Sequence, residues 1–552
     1  MSDTANRAFD RLQQEFYHAW FRFHPEQAAS AGLEEFAGLL RTYDDDDIGA
    51  LTSLNQKMHS ALDELDEGEL DEDRYIDYQL MKSAVSVECH DLQELDWRYR
   101  NPLAYVPVHA VYQLLIHPVP EVQKAIRHRL QAIPEYLRGA RTLLSLMPER
   151  VVPVWLQSAI KQCEIGAGFI RNLGRDPLIS EKFKNPARLQ PLFDEASHAL
   201  DEFVHFLQQD IAHKAAGDFA VGEDRFNRLL VENHFLDVDA KEILAFGEKL
   251  FAETESELKA QAESMESGAD ISVLLEKIRE KHPKQARLLD TYRQRMREAH
   301  KWLQRHDLVT LPEKEALHIQ ETPEFLKPLI PFAAYEPPMP VDKKQRGLYY
   351  VTTSNDEALL AEHNQYSIDL TSVHESYPGH HLQFVTANIH HADNTTRSVH
   401  ASASLYEGWA LYCEDLMEEQ GFLNRKEHRF IMLRDRLWRA LRVIIDVKIH
   451  TRGLSITDAS KLMVEKLGFD QKLADAELAW YSTAPTVPLC YATGYELIKA
   501  VREHQQQKPG FELKAFHDAL LEQGSIALPL VIRRAFGEDA WNYARGKVFS
   551  QS

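Results

Sequence analysis

The chain has 552 residues, 44% of them hydrophobic and 27% charged, with a formal net charge of −22. That length exceeds what one ordinary core needs, the composition excludes a disordered or membrane-embedded chain, and the charge gives no footing on a phosphate backbone or an anionic lipid surface. Only 23 Gly and 24 Pro punctuate it, so a mainly α fold is expected. Neither nucleic acid nor membrane is an expected partner.

The four cysteines, Cys89, Cys163, Cys413 and Cys490, are widely spaced and form no C-x-x-C pair, which suits unpaired thiols in a reducing compartment. The stretch from Met1 to Arg11 mixes Asp and Arg without an apolar core. No signal peptide or membrane span is therefore expected, and a cytoplasmic location is.

Phe9, Leu12, Phe16, Trp20 and Phe21 recur at helical spacing, and Pro25 with Gly32 marks the end of that opening element. Asp44 to Asp47 lacks the alternating ligands and central Gly of a calcium loop and reads as a solvated acidic face. Helical patterns follow to about residue 215, with breaks expected at Pro102, Pro107, Pro118, Pro120, Pro134, Pro148, Pro153 and Pro177. A polar, Gly-dotted stretch spans Gly217 to Asp239. Asp239 with Glu242 then predicts the capped start of a helix whose stripe is Ile243, Phe246, Leu250 and Phe251. A boundary is placed near residue 215, giving an N-terminal helical lobe (1–215) and a catalytic helical lobe (216–552), with one continuous body as the alternative.

Pro328, Pro331, Pro337, Pro338 and Pro340 exclude helix after Leu326. Gly347 to Thr353 is β-branched and aromatic, the strongest strand signal in the chain. A lone strand ahead of a metal-binding helix could hold an extended substrate by backbone pairing; a structural hairpin is the plainer reading.

The densest chemistry follows. Thr371 to Gln383 places His374, Glu375, His380 and His381 within eight residues, a distorted form of the zinc-peptidase pattern H-E-x-x-H. On a regular helix His380 would point roughly 120° away from His374, and His381 would lie ~10.5 Å further along the axis. Pro378 cannot donate to the carbonyl of His374 and Gly379 tolerates unusual backbone angles. The expected solution is a bulged helix that returns His380 over His374, with His381 as the alternative ligand. A catalytic zinc site needs a third protein ligand, and the adjacent Glu375 is the expected general base. Glu407 is the candidate ligand, at the start of a strongly helical run before Gly408-Trp409, which would allow close approach to the metal helix; Glu414 is its competitor.

His-Glu-x-x-Pro-Gly-His at 374–380 followed by Glu-Gly-Trp-Ala at 407–410 resembles the bacterial family called domain of unknown function 885, whose members look like distant relatives of the gluzincin metallopeptidases. Weaker matches lie at Pro25 to Gly32, Gly222 to Leu230, 347–353, Asp446 to His450 and Pro488 to Gly494. The resemblance implies a large two-lobed helical body with a deep central cleft and a Zn2+-dependent peptidase activity on short peptides. It also implies a downstream Tyr or His over the metal to stabilise the oxyanion. Tyr491 is nominated first and Tyr495 second.

Arg434, Arg436, Arg439 and Arg442 share a helix with Trp438 and Leu441. They form a basic face that is either paired within the chain or suited to a substrate carboxylate. Asp446 and His450, one turn apart, are a candidate pair for orienting a ligand or the base. The expected function is a zinc metallopeptidase. The alternatives are a metal-dependent hydrolase of a non-peptide amide, or a peptide-binding protein of the same fold without catalysis.

Overall fold

The computed structural model describes residues 3–327 and 330–550; Pro328 lies outside them. The chain is 71% helical with a small three-stranded sheet, the mainly α class that the composition predicts. It divides into two compact units. One comprises Met1–Phe219, Met339–Asp342 and Asp393–Val399, the other Ala220–Pro338, Lys343–Ala392 and His400–Ser552.

In the first unit, α1 (Asp3–Trp20), α2 (Asp45–Asp63) and α3 (Glu72–His90) enclose a core that includes Phe9, Phe16, Trp20, Leu51, Met58, Tyr78 and Met81. The acidic run acts locally. Asp44 caps α2 by accepting from the Asp47 amide at 2.7 Å, where the helix N-terminus favours negative charge. The short helix Thr395–Val399 belongs to this unit, and Arg397 Nε donates to Asp77 Oδ1 at 2.8 Å in a buried pair. The break expected at Pro134 does not occur. Helix α4 (Val122–Leu146) runs through it, because a proline forfeits one backbone bond while Ile126, Leu130, Ile133, Leu137 and Leu144 keep a continuous buried stripe. Helices α5 (Pro153–Asn172) and α6 (Gln190–Phe206) lie side by side, tied by Ser197 Oγ donating to the Ala167 carbonyl at 2.9 Å.

The second unit begins with a helix inside the stretch expected to be polar loop, α7 (Glu223–His234), whose buried Phe226, Leu229 and Leu230 fix it. Helix α8 (Ala240–Met265) starts at the predicted capping box. The Glu242 amide donates to Asp239 Oδ1 at 2.8 Å and the Asp239 amide to Glu242 Oε2 at 3.1 Å. Helix α9 (Leu288–His306) precedes the sheet.

The sheet corrects the expectation of a lone strand. Strand β3 (Arg346–Val351) is central, parallel to β1 (Ala316–Glu321) and antiparallel to β2 (Ala333–Glu336). Both of its hydrogen-bonding edges are used, so it cannot pair with a substrate backbone. Tyr349 of β3 is fully buried against Tyr292 of α9, ring centroids 5.6 Å apart. Six further helices build the candidate site: α10 (Gln365–Glu375), α11 (His380–His391), α12 (Ala403–Glu419), α13 (Lys426–Thr451), α14 (Gln471–Thr483) and α15 (Cys490–Gln506).

Candidate metal centre

The chain solves the spacing of His374 and His380 by breaking the helix rather than bulging it. Helix α10 ends at Glu375, a cis Tyr377–Pro378 peptide follows, and α11 starts afresh at His380. Gly379 is the residue the turn cannot replace: a Cβ there would sit 1.9 Å from the His374 carbonyl oxygen and 2.4 Å from that of Val373. Trp409 of α12, fully buried, donates from Nε1 to the Pro378 carbonyl at 2.8 Å and fastens the break. The two imidazoles are thereby brought to a centroid distance of 4.8 Å with planes at 89°.

Glu407 completes the group. Its Oε2 lies 3.6 Å from His374 Nε2 and 3.5 Å from His380 Nε2, and the three residues can offer one ligand atom each, all within 4.8 Å of one another. Glu407 Oε2 is buried and has no hydrogen-bond partner among the described residues. His374 donates from Nδ1 to Glu414 Oε1 at 2.8 Å, which leaves Nε2 turned inward. Glu414 therefore stands behind the ligand rather than competing with Glu407, the usual arrangement around a metal-bound histidine. Two imidazoles and a carboxylate are the donor set of a catalytic zinc site with an open position, and the residues present fit that ion.

The electrostatics point the same way. Three carboxylates, the buried Glu414 and the half-buried Glu375 and Glu407, surround the two rings. Burial lowers His374, but the neighbouring carboxylates of Glu407 and Glu414 outweigh it and raise its pKa to about 10. Glu407 is raised by burial yet ends well below the usual carboxylate range under the pull of His380 and His374. Burial pushes Glu375 up, against the attraction of both imidazoles. The cluster is built to hold positive charge. Glu375 Oε2 lies 4.0 Å from His380 Nε2, beside the group and outside the donor set.

Tyr491, in the first turn of α15, faces the cluster: burial first, then the Glu407 carboxylate, raises its hydroxyl well above the ordinary tyrosine value. Its helix comes close because glycines meet. A Cβ on Gly408 would lie 2.5 Å from the Gly494 carbonyl carbon, and one on Gly494 would lie 2.1 Å from the Ser404 carbonyl oxygen. The close approach expected of Gly408 is thus made to α15 rather than to the metal helix; Trp409 makes the contact with the break.

A family model for "Bacterial protein of unknown function (DUF885)" matches residues 25–534. The chain belongs to this family. Among solved structures, it is similar to a "putative lipoprotein of unknown function" from Shewanella oneidensis, at 22% identity and a TM-score of 0.77, covering 95% of this chain and 99% of that one. It is also similar to a "putative lipoprotein" from Colwellia psychrerythraea, at 16% identity and a TM-score of 0.81, covering 96% and 98%. These likenesses show a shared fold. An M32 carboxypeptidase from Deinococcus radiodurans R1 superposes at a TM-score of 0.41 with 12% identity, covering 98% and 99%, too loosely to carry an argument about this chain. No curated protein matches it.

The cytoplasmic location expected from composition does not stand, since the Shewanella and Colwellia structures that share the fold are each described as a "putative lipoprotein". Its basis was weak: four free cysteines and a charged N-terminal stretch do not distinguish one compartment from another. No helix among the described residues is long and apolar enough to cross a membrane.

Three sequence candidates of this DUF885 chain lie outside the cluster. His381 is fully buried with both ring nitrogens engaged elsewhere, Nδ1 3.0 Å from the Tyr335 hydroxyl and Nε2 2.8 Å from Glu315 Oε2. Tyr495 is committed to another network: its hydroxyl donates to Asp415 and accepts from Arg436 and from Lys499, the last at 3.0 Å. It is corrected from a catalytic candidate to a structural one. His450 Nε2 lies 3.1 Å from the Tyr481 carbonyl and 3.8 Å from Asp446 Oδ1, which accepts from the Thr486 amide at 3.4 Å. Instead of touching reacting atoms, Asp446 and His450 hold the segment that leads into Tyr491. The sequence reading missed Glu315, Tyr335 and Tyr377, which share His381, because Glu315 and Tyr335 lie in the sheet region with no motif around them.

Proposed function

We propose that the chain is a zinc-dependent metallopeptidase that hydrolyses short peptides. The observation that carries this reading is the convergence of His374, His380 and Glu407 donor atoms within 4.8 Å, with Glu375 beside them and Glu414 behind His374. His374, His380 and Glu407 would hold the ion, and a zinc ion so held supplies the Lewis acidity that polarises a carbonyl and activates water. Glu375 accepts the proton of the attacking water, whose oxygen goes to the carbonyl carbon. It then delivers that proton to the amine as the C–N bond breaks. The Tyr491 hydroxyl donates to the carbonyl oxygen as negative charge develops there. His374 and His380 are buried and Glu375, Glu407 and Tyr491 half-buried, which limits screening of their interactions by bulk water.

The test separates base from ligands. Glu375→Gln keeps stoichiometric zinc and loses about 100-fold or more in kcat on a short peptide, the scale of a general base. Full activity in that variant would contradict the reading, and so would the absence of peptide cleavage by zinc-loaded wild type.

A further inference from the structure

Helix α13 carries an arginine face, and its members are not alike. Arg436 Nη2 donates to Asp415 Oδ1 at 2.8 Å. Arg442 donates from Nε to the Tyr481 hydroxyl at 2.8 Å and from Nη2 to Glu477 Oε2 at 3.0 Å. Arg439 stands apart: Nε and Nη1 are both buried with no hydrogen-bond partner among the described residues, and Arg442 Nη1 is in the same condition. The Arg439 guanidinium stacks on Trp438 at 4.1 Å.

Arg434 Nε is also buried without a hydrogen-bond partner among the described residues, but it is Arg442 and Arg439 that lie close to Tyr491. The guanidinium carbons of Arg442 and Arg439 lie 4.5 Å and 5.9 Å from its ring centroid. The same tyrosine lies in the first turn of α15, the helix that meets α12 at Gly408, the residue after Glu407. Guanidinium N–H groups left buried without an acceptor are costly, and the partner that answers them best is a carboxylate, by charge-assisted hydrogen bonds. The unpartnered donors and the metal helix α12 thus both meet the first two turns of α15, and a peptide whose scissile carbonyl lies at the metal carries its C-terminal carboxylate one residue further along the chain.

We propose that Arg439, with Arg442 beside it, receives the C-terminal carboxylate of the substrate, so that cleavage removes residues from the free carboxyl end of a short peptide. This rests on the peptidase reading. Water adds across the C–N bond, its hydroxyl to the acyl carbon and its proton to the amine of the released residue, and no further reactant is needed. Arg439 is a specificity residue that holds the substrate's end, and Tyr491, close to both arginines, is steadied by them.

The experiment uses the full zinc-loaded chain and one N-acetylated peptide made in three forms: free acid, C-terminal amide, and amide with an added Glu side chain. Turnover and calorimetric binding to the Glu375→Gln variant are both measured. The expected result is a preference for the free acid of about 50-fold in kcat/KM and in affinity, the scale of hydrogen bonds to a charged partner. Arg439→Met should erase it mainly through KM, and Arg439→Lys, which keeps the charge but not the fork, should restore part. Equal handling of acid and amide, or an undiminished acid preference in a folded Arg439→Met, overturns the proposal while leaving the peptidase reading intact. Preference for the Glu-bearing amide overturns it in favour of an acidic side chain. Acid-selective binding that needs Arg439, without any cleavage, instead defeats the peptidase reading and leaves the carboxylate pocket standing. If Arg439→Met does not fold, Arg439→Lys carries the comparison.

Discussion

His374 donates from Nδ1 to Glu414 Oε1 at 2.8 Å, and the same ring presents Nε2 to Glu407 Oε2 at 3.6 Å. One carboxylate fixes the imidazole and the other shares its open face. Glu414→Gln keeps the shape and weakens the anchor, so zinc affinity should fall by about 10- to 100-fold with little change in fold. Competition with a chelator measures this, and unchanged affinity would show that Glu414 does not orient the ligand.

Gly379→Ala should be among the most damaging single-atom changes in the chain. The added Cβ would lie 1.9 Å from the His374 carbonyl oxygen, so α10 and α11 must separate and His380 must leave His374. Loss of bound zinc together with a lowered melting temperature is expected. Retention of both would mean that the break between the helices is not held as described.

Buried neutral histidines make the second unit acid-sensitive. Burial lowers the pKa of His234, His363 and His517 to about 4 from an ordinary 6.5. The folded state therefore binds fewer protons than the unfolded chain between these values. Stability is full above pH 6.5 and is lost as pH falls toward 4, by about 2 kcal/mol for each such histidine at pH 5. Melting curves from pH 7 to 4.5 should show a steep decline in Tm; a flat profile would contradict it.

In the first unit, Arg397 and Asp77 form a buried pair, and Asp77 is pushed up by burial despite the arginine. Arg397→Met strands a carboxylate and should cost about 3–5 kcal/mol, while the double variant with Asp77→Asn should recover part of that loss. Denaturant unfolding of the four proteins measures the coupling, and strict additivity would rule it out.

The site was legible in proportion to how local its signals are. His374, Glu375 and His380 stand within one short stretch, so their types and spacing could be read directly, as could the Asp239 capping box. The manner of their meeting was not legible, because a bulge and a break use the same Pro378 and Gly379. What decides between them is the fit of Gly379 against the His374 carbonyl and the reach of Trp409 from another helix. Strands β1 and β2 escaped notice since each is short and lies amid prolines and polar residues, which hid the fact that β3 is central. The two tyrosines of α15 are indistinguishable in sequence. Only packing against α12 and α13 gives Tyr495 to Asp415 and Arg436. Helix α7 was hidden because its few apolar residues, Phe226, Leu229, Leu230 and Val231, stand among charged and polar ones inside a Gly-dotted stretch.

The central claim is that His374, His380 and Glu407 hold one metal ion and that His381 does not. Elemental analysis of the purified wild type beside His374→Ala, His380→Ala, His381→Ala and Glu407→Ala tests it most directly. One zinc per chain is expected in the wild type and in His381→Ala, with its loss in the other three. Zinc retained by all four variants, or lost from His381→Ala and kept by His380→Ala, would contradict it.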